Sequence, residues 1–152
     1  MIDADIVYYD PASEKTVIIS ASGHHGFFCG SPVRWLDEMC IAHGSTYKGR
    51  VDAFRTLTET KQKPAVLISE MTHQMYFPTL SPKSRDCIWL CAERIFAIRA
   101  KDNQHSLVLF MDGNKIELAV SKRTLKKQME RCELFLEKMR SALSALEEKG
   151  KY

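Results

Sequence analysis

Apolar positions change period once along the chain, dividing it into a strand-rich front and a helical back. Ile6-Val7-Tyr8-Tyr9 is a short β-type run closed by the turn pair Asp10-Pro11. Thr16-Val17-Ile18-Ile19-Ser20 is β-branched and bounded by Gly23, so the two runs predict an N-terminal hairpin. After a glycine-punctuated stretch, 23–30, Ser31-Pro32 opens a predicted short helix through Cys40. Ser31 is its cap, and proline fits the first turn because its missing N–H has no partner there anyway. Ala65-Val66-Leu67-Ile68-Ser69 and Gln74-Met75-Tyr76-Phe77 flank the polar turn 70–73 and predict a second hairpin, ended by Pro78. Residues 87–91 and 95–99 are further strand candidates. Residues 106–110 and 115–120, joined through Asp112-Gly113, make the clearest hairpin: the glycine supplies the positive φ, and Ile116, Leu118 and Val120 alternate with polar or small residues.

From Ser121 the spacing becomes helical. Leu125, Met129, Cys132, Leu136, Met139, Leu143 and Leu146 form one stripe at steps of four and three, with Leu134 and Phe135 widening it. Ser121 is the expected N-cap and Gly150 the expected stop. Such a stripe packs either on the protein's own sheet or on a second copy, and spacing alone does not separate the two.

The chain has 152 residues, 45% hydrophobic and 27% charged. That predicts one globular domain over 1–152, β-rich to residue 120 and helical from 121 to 149, and excludes dominant disorder or a collagenous chain. The fold class expected is α+β: a twisted antiparallel sheet or partly closed barrel of six to eight strands, then a long amphipathic helix. No apolar run approaches the ~18 residues of a membrane span, and Asp3 and Asp5 stand where a secretory signal has basic residues. A cytoplasmic protein, off the membrane, is therefore expected.

Five cysteines without framework spacing read as buried small hydrophobes of a reducing compartment. His24-His25 near Cys29 lacks paired zinc-ligand units, and only Cys87 and Cys91 form a short pair. A thiol enzyme using Cys87 or Cys91 requires a histidine beside the sulfur, which nothing local marks. No Walker or dinucleotide glycine loop is present, so no enzyme, metal or cofactor is expected.

Charge distribution is more informative. Residues 1–42 carry two basic and six acidic residues, a net −4; residues 43–101 carry ten and five, a net +5; residues 102–152 carry ten and eight, a net +2. A basic centre suits a polyanion-facing surface. Two segments there, read as loops, combine cations with small hydroxyls and with glycine or proline: 43–50, with Ser45, Thr46, Tyr47, Lys48 and Arg50, and 77–85, with Lys83 and Arg85. Hydroxyls and cations are the usual phosphate contacts of nucleic-acid binders. The plain alternative is a pair of polar surface turns, with Arg50 clamping a carbonyl or a carboxylate such as Asp52.

These segments resemble a known family. Cys40, Gly44-Ser45-Thr46-Tyr47 and Gly49-Arg50 are similar to a signature of ComK, the competence transcription factor of low-GC Gram-positive bacteria. The likeness continues at Lys63-Pro64, at Gln74-Met75-Tyr76-Phe77-Pro78-Thr79-Leu80-Ser81, at Cys87 and Trp89, and through Asp112-Gly113-Asn114-Lys115, Glu117-Leu118 and Ser121, covering about residues 30–140. It implies a sequence-specific activator that binds AT-rich double-stranded DNA as a homo-oligomer, and a short family member, because longer members carry a C-terminal tail used in activation and in adaptor-directed proteolysis. With no helix-turn-helix visible, loops or strands would meet the duplex, through a minor groove whose negative potential draws Arg or Lys. A rival reading is a ComK-like protein-interaction module that no longer binds DNA and modulates a full-length regulator; it expects the basic loops on different faces.

Overall fold

The computed structural model describes residues 3–150. Its elements run β1 (Ala4–Asp10), β2 (Lys15–Ser20), β3 (His25–Phe28), α1 (Pro32–Ala42), α2 (Tyr47–Thr58), β4 (Val66–Ser69), β5 (Gln74–Pro78), β6 (Ile88–Cys91), β7 (Ile95–Ala100), β8 (Ser106–Phe110), β9 (Lys115–Leu118) and α3 (Lys122–Gly150). The fold is α+β, as expected. Its strands form two open antiparallel sheets rather than one sheet or a barrel: six strands in the order β3-β2-β1-β6-β5-β4, and three in the order β7-β8-β9.

Alternation along the strands of the large sheet separates two cores. Ile6, Leu67, Met75, Phe77 and Leu90 face one side, where Ile95, Ile98, Val108, Phe110 and Leu118 of the small sheet and Leu125, Cys132 and Phe135 of α3 meet them. Val7, Val66, Ile68, Tyr76 and Trp89 face the other, under Trp35, Leu36 and Cys40 of α1. Helix α1 starts as expected, with Ser31 Oγ accepting the N–H of Arg34 at 3.1 Å.

Helix α2 is the main departure from the sequence reading. Residues 47–50, read as loop, are its first turn, capped by Thr46, whose Oγ1 accepts the N–H of Gly49 at 2.9 Å. A Cβ on Gly49 would lie 3.1 Å from that same oxygen, so the glycine serves the cap instead of a loop's approach to a ligand. The helix contacts edge strand β4 and supplies both cores: Val51 enters one, and Phe54 enters the other with its ring 5.3 Å from that of Phe135. Burying a side chain of this kind is worth about 1.5–3 kcal/mol, which outweighs the poor helix propensity of Gly49 and Thr56.

Polar contacts join the two sheets. Asp5 of β1 is fully buried; it accepts from Arg94 Nε at 3.2 Å and from Asn114 Nδ2 at 3.0 Å. Asn114 also donates to the carbonyl of Ser20 at 2.7 Å, and Arg94 reaches Asp112 at 2.6 Å. The β8–β9 turn, with Gly113 at φ 90° as its sequence requires, is thereby pinned to β1 and β2.

In α3 the stripe divides. Leu125, Cys132 and Phe135 are buried, and Met129, Leu136 and Met139 pack partly against the same core. Residues 140–150 are exposed throughout, Leu143 at 52% and Leu146 at 62%. Ser121 caps the helix through Thr124, as expected, whereas Gly150 is still helical at the edge of the described residues.

Candidate nucleic-acid interface

Cations here fall into two classes. Several are neutralised by carboxylates: Lys48 by Asp52 at 3.0 Å, Arg50 by Glu70 at 3.2 Å, Arg34 by Glu38, Lys101 by Glu117, and Arg94 by Asp5 and Asp112. Others have no carboxylate partner among the described residues, and seven of these line three adjoining cavities. The middle one, about 630 Å³, is bordered by Tyr47 and Arg55 of α2, by Lys61 and Lys63 of the α2–β4 loop, and by Lys83 of the β5–β6 loop. It shares Lys61 and Lys63 with a cavity of about 450 Å³ that continues to Lys127 and Arg131 of α3. It shares Lys83 with one of about 380 Å³ that continues to Arg85. No aspartate or glutamate lines any of the three. The result is a run of adjoining concave surfaces lined by unpaired positive charge, built where one helix, two loops and the start of α3 converge; Asp86 lies just past its Arg85 end, in a depression that shares Tyr9, Arg85 and Cys87 with the last cavity.

Local bonding holds the three arginines in place. Arg55 Nε donates to the Lys61 carbonyl at 3.0 Å, tying α2 to the loop after it, in which Glu59 and Lys63 take left-handed backbone (φ 57° and 50°). Gln128 of α3 donates to the Pro78 carbonyl at 2.9 Å and accepts from Arg131 at 3.3 Å. Arg85 lies over the ring of Tyr9, 5.2 Å from its centroid.

Of the residues singled out in the sequence, Tyr47, Lys83 and Arg85 meet on this surface. Tyr47 lines the middle cavity with its ring edge-on to Trp89, 6.4 Å between centroids, and burial pushes its phenol pKa up. Ser45, Thr46, Lys48 and Arg50 line none of the three cavities. Ser45 closes α1, its N–H on the Cys40 carbonyl, and Thr46 caps α2. Asp52, the partner considered for Arg50, holds Lys48 one helical turn before it. Arg50, with a side chain only 13% exposed, reaches Glu70 in the β4–β5 turn.

A family model described as ComK protein matches residues 7–144. The chain belongs to the ComK family. Over 100 residues it is 27% identical to the competence transcription factor of Bacillus subtilis (strain 168), covering 66% of this chain and 52% of that protein, so the chain spans about half the length of this relative. No solved structure gives a significant match.

All seven groove cations of this ComK-family chain lie inside the matched span. Sequence reasoning missed Arg55, Lys61, Lys63, Lys127 and Arg131. Their one sequence signal was the basic excess of the centre, and Lys127 and Arg131 lie outside even that, on a helix of mixed charge. The thiols offer little chemistry. Burial pushes Cys40 up to about 11 and Cys132 up to about 12; it also raises Cys87, and Cys91 further still, with the Glu93 carboxylate adding to the shift there. Each is held as a neutral thiol, the poorly nucleophilic form. Cys29 departs from the expected burial and is exposed. Among the described residues no group of three or more His, Cys, Asp or Glu could hold a metal ion, and no helix is long and apolar enough to cross a membrane.

Proposed function

We propose that this ComK-family protein is a DNA-binding transcriptional regulator of the competence type, acting in the cytoplasm on AT-rich duplex as an oligomer. The observation that carries the reading is the acid-free groove, in which seven cations without carboxylate partners line one concave surface. Desolvating and neutralising phosphates is what such cations do best, because binding releases condensed counterions from the duplex. The name of the Bacillus subtilis relative supports the regulatory role. An A-tract suits the groove, since its narrow minor groove concentrates negative potential against Arg and Lys. The exposed Leu143 and Leu146 give a second copy an apolar strip on α3.

The test is the salt dependence of binding to A-tract and mixed-sequence duplexes, followed by anisotropy. If about five phosphates are engaged, log affinity falls against log salt with a slope of about −4 to −5, and removing one groove cation (Lys61→Ala or Lys127→Ala) reduces the slope by about 0.9. Lys48→Ala leaves it unchanged, because that ammonium is already paired outside the groove. A flat salt response, or equal losses from Lys48→Ala and Lys61→Ala, would falsify the assignment of the groove.

A further inference from the structure

The three-stranded sheet has a second face. Ile98, Val108 and Leu118 turn inward toward α3. Alternation turns Leu107 and Leu109 of the central strand β8 the other way, where both are half-buried and belong to neither core. A bulge between Ile95 and Ala97 adds Phe96 to this outer face, 71% exposed, and Met111, which continues the alternation just past β8, is 54% exposed. A contiguous apolar face of this kind marks a contact with another molecule. Arg99 and Lys115 flank it, opposite Leu107 and Leu109 on the two outer strands, and neither has a carboxylate partner among the described residues. Lys101 and Glu117 at its edge neutralise each other. The chain cannot cover this face itself, because α3 runs along the inner side as one unbroken helix, Lys122–Gly150.

A second copy carries the matching part. The exposed end of α3, residues 140–150, sets Leu143 and Leu146 on one side and ends the strip with Glu147 and Glu148, neither of them paired with a cation among the described residues. Those helical residues run ~16 Å and the strand β8 ~17 Å, while three strands spaced ~4.8 Å apart are about as wide as one helix. Charge selects between pairings. Sheet face on sheet face would set Arg99 and Lys115 against themselves, and helix end on helix end would bury two leucines per copy and leave the sheet bare. Helix end on sheet sets Glu147 and Glu148 against Arg99 and Lys115. We propose that the end of α3 in one copy docks on the outer face of the three-stranded sheet in another, and that two such seams, exchanged reciprocally, close a symmetric dimer. This names the surfaces of the oligomer in the proposed function and rests on that part of it. None of these residues lines the groove, which stays open to the duplex.

Sedimentation of the DNA-free protein at tens of micromolar and low ionic strength tests the docking through two charge-reversed variants. One reverses the sheet (Arg99→Glu with Lys115→Glu) and the other reverses the helix end (Glu147→Lys with Glu148→Lys). The parent is expected to run as a dimer. Each variant alone meets like charge at both seams and runs as a monomer, with the melting temperature of a folded chain, because all four positions are on the surface. Mixed in equal amounts, the two variants form a heterodimer, since reversed sheet now faces reversed helix end and native sheet faces native helix end. A monomeric parent overturns the proposal. So does a helix-end variant that stays dimeric, which assigns the contact to sheet on sheet, or a sheet variant that stays dimeric, which assigns it to helix end on helix end. A mixture that remains monomeric overturns it as well. Because no DNA is present, these outcomes are independent of the groove: a monomeric parent that still binds duplex with a steep salt slope removes the dimer and leaves the DNA reading standing.

Discussion

Arg50 and Lys83 occupy segments of similar composition, but Arg50 is largely buried against Glu70 and Lys83 is exposed without a carboxylate. Arg50→Ala is therefore expected to lower stability by about 1–2 kcal/mol, through lost packing of its stem as much as lost charge. Measured on the folded fraction, its duplex affinity and salt slope stay at the parent values; a normal denaturant midpoint combined with weakened DNA binding would reverse the assignment. Glu93 offers a pH test. Desolvation raises its carboxyl to about 7, although hydrogen bonds from the Cys91 thiol at 3.1 Å and from the Met75 backbone favour the charged form. With the folded pKa above the usual 4.5, this group's contribution to stability is fully present below 4.5 and is lost as pH rises toward 7. Glu93→Gln should flatten that decline. Because the side chain is partly in solvent, the gain at pH 8 is ~1 kcal/mol or less. Melting temperatures across the range decide it, and parallel curves for the two proteins count against the raised carboxyl.

At the scale of elements, α2 and α3 each carry residues whose sequence context suggested one role and whose position gives another. Thr46 belongs to a hydroxyl-rich run that resembles a phosphate loop, yet its Oγ1 is occupied by the Gly49 N–H. Thr46→Ala should cost ~1 kcal/mol of stability, as loss of an N-cap does, with no change in the salt slope of DNA binding. The even spacing of the α3 stripe hides a boundary near Met139. Leu136→Asp puts a charge against the core and should destabilise by about 2–3 kcal/mol. Leu143→Asp with Leu146→Asp, beyond the boundary, should leave the melting temperature nearly unchanged. If the exposed strip joins two copies, the double variant sediments at a lower mass than the parent. Equal masses, both oligomeric, would place self-association elsewhere on the surface.

At the scale of the whole molecule, the two sheets are held together by a polar clasp as well as by the core, so Asp5→Ala removes the buried acceptor shared by Arg94 and Asn114, leaving Arg94 only Asp112 and Asn114 only the Ser20 carbonyl. The expected cost is about 3 kcal/mol, read as a lower denaturant midpoint, and Asp5→Asn recovers part of it by retaining an acceptor. What the sequence determined by itself was local. Runs of β-branched, aromatic and other apolar residues, with period-two alternation at 116–120, located every strand but β3, which lies in the glycine-punctuated stretch; Asp112-Gly113 and the 70–73 turn set two hairpins, Ser31 and Ser121 marked helix starts, and the cysteine–glycine–tyrosine and Phe-Pro-Thr-Leu-Ser segments carried the family likeness, because each depends on residues only a few positions apart. Helix α2 escaped that logic: its inner face is short and mixed, made by Tyr47, Val51, Ala53, Phe54, Leu57 and Thr58, and a cap read as a phosphate contact concealed its start. The groove escaped it completely. Which cations are spent on carboxylates depends on partners such as Arg50 and Glu70, 20 residues apart, and Asp5 and Arg94, 89 apart. Which cations remain together depends on chain reversals that bring Lys61, Lys83 and Lys127 to one surface. Charge pairing falls off within a few ångströms and is indifferent to sequence order, so only the tertiary structure could divide structural cations from those free to meet a polyanion.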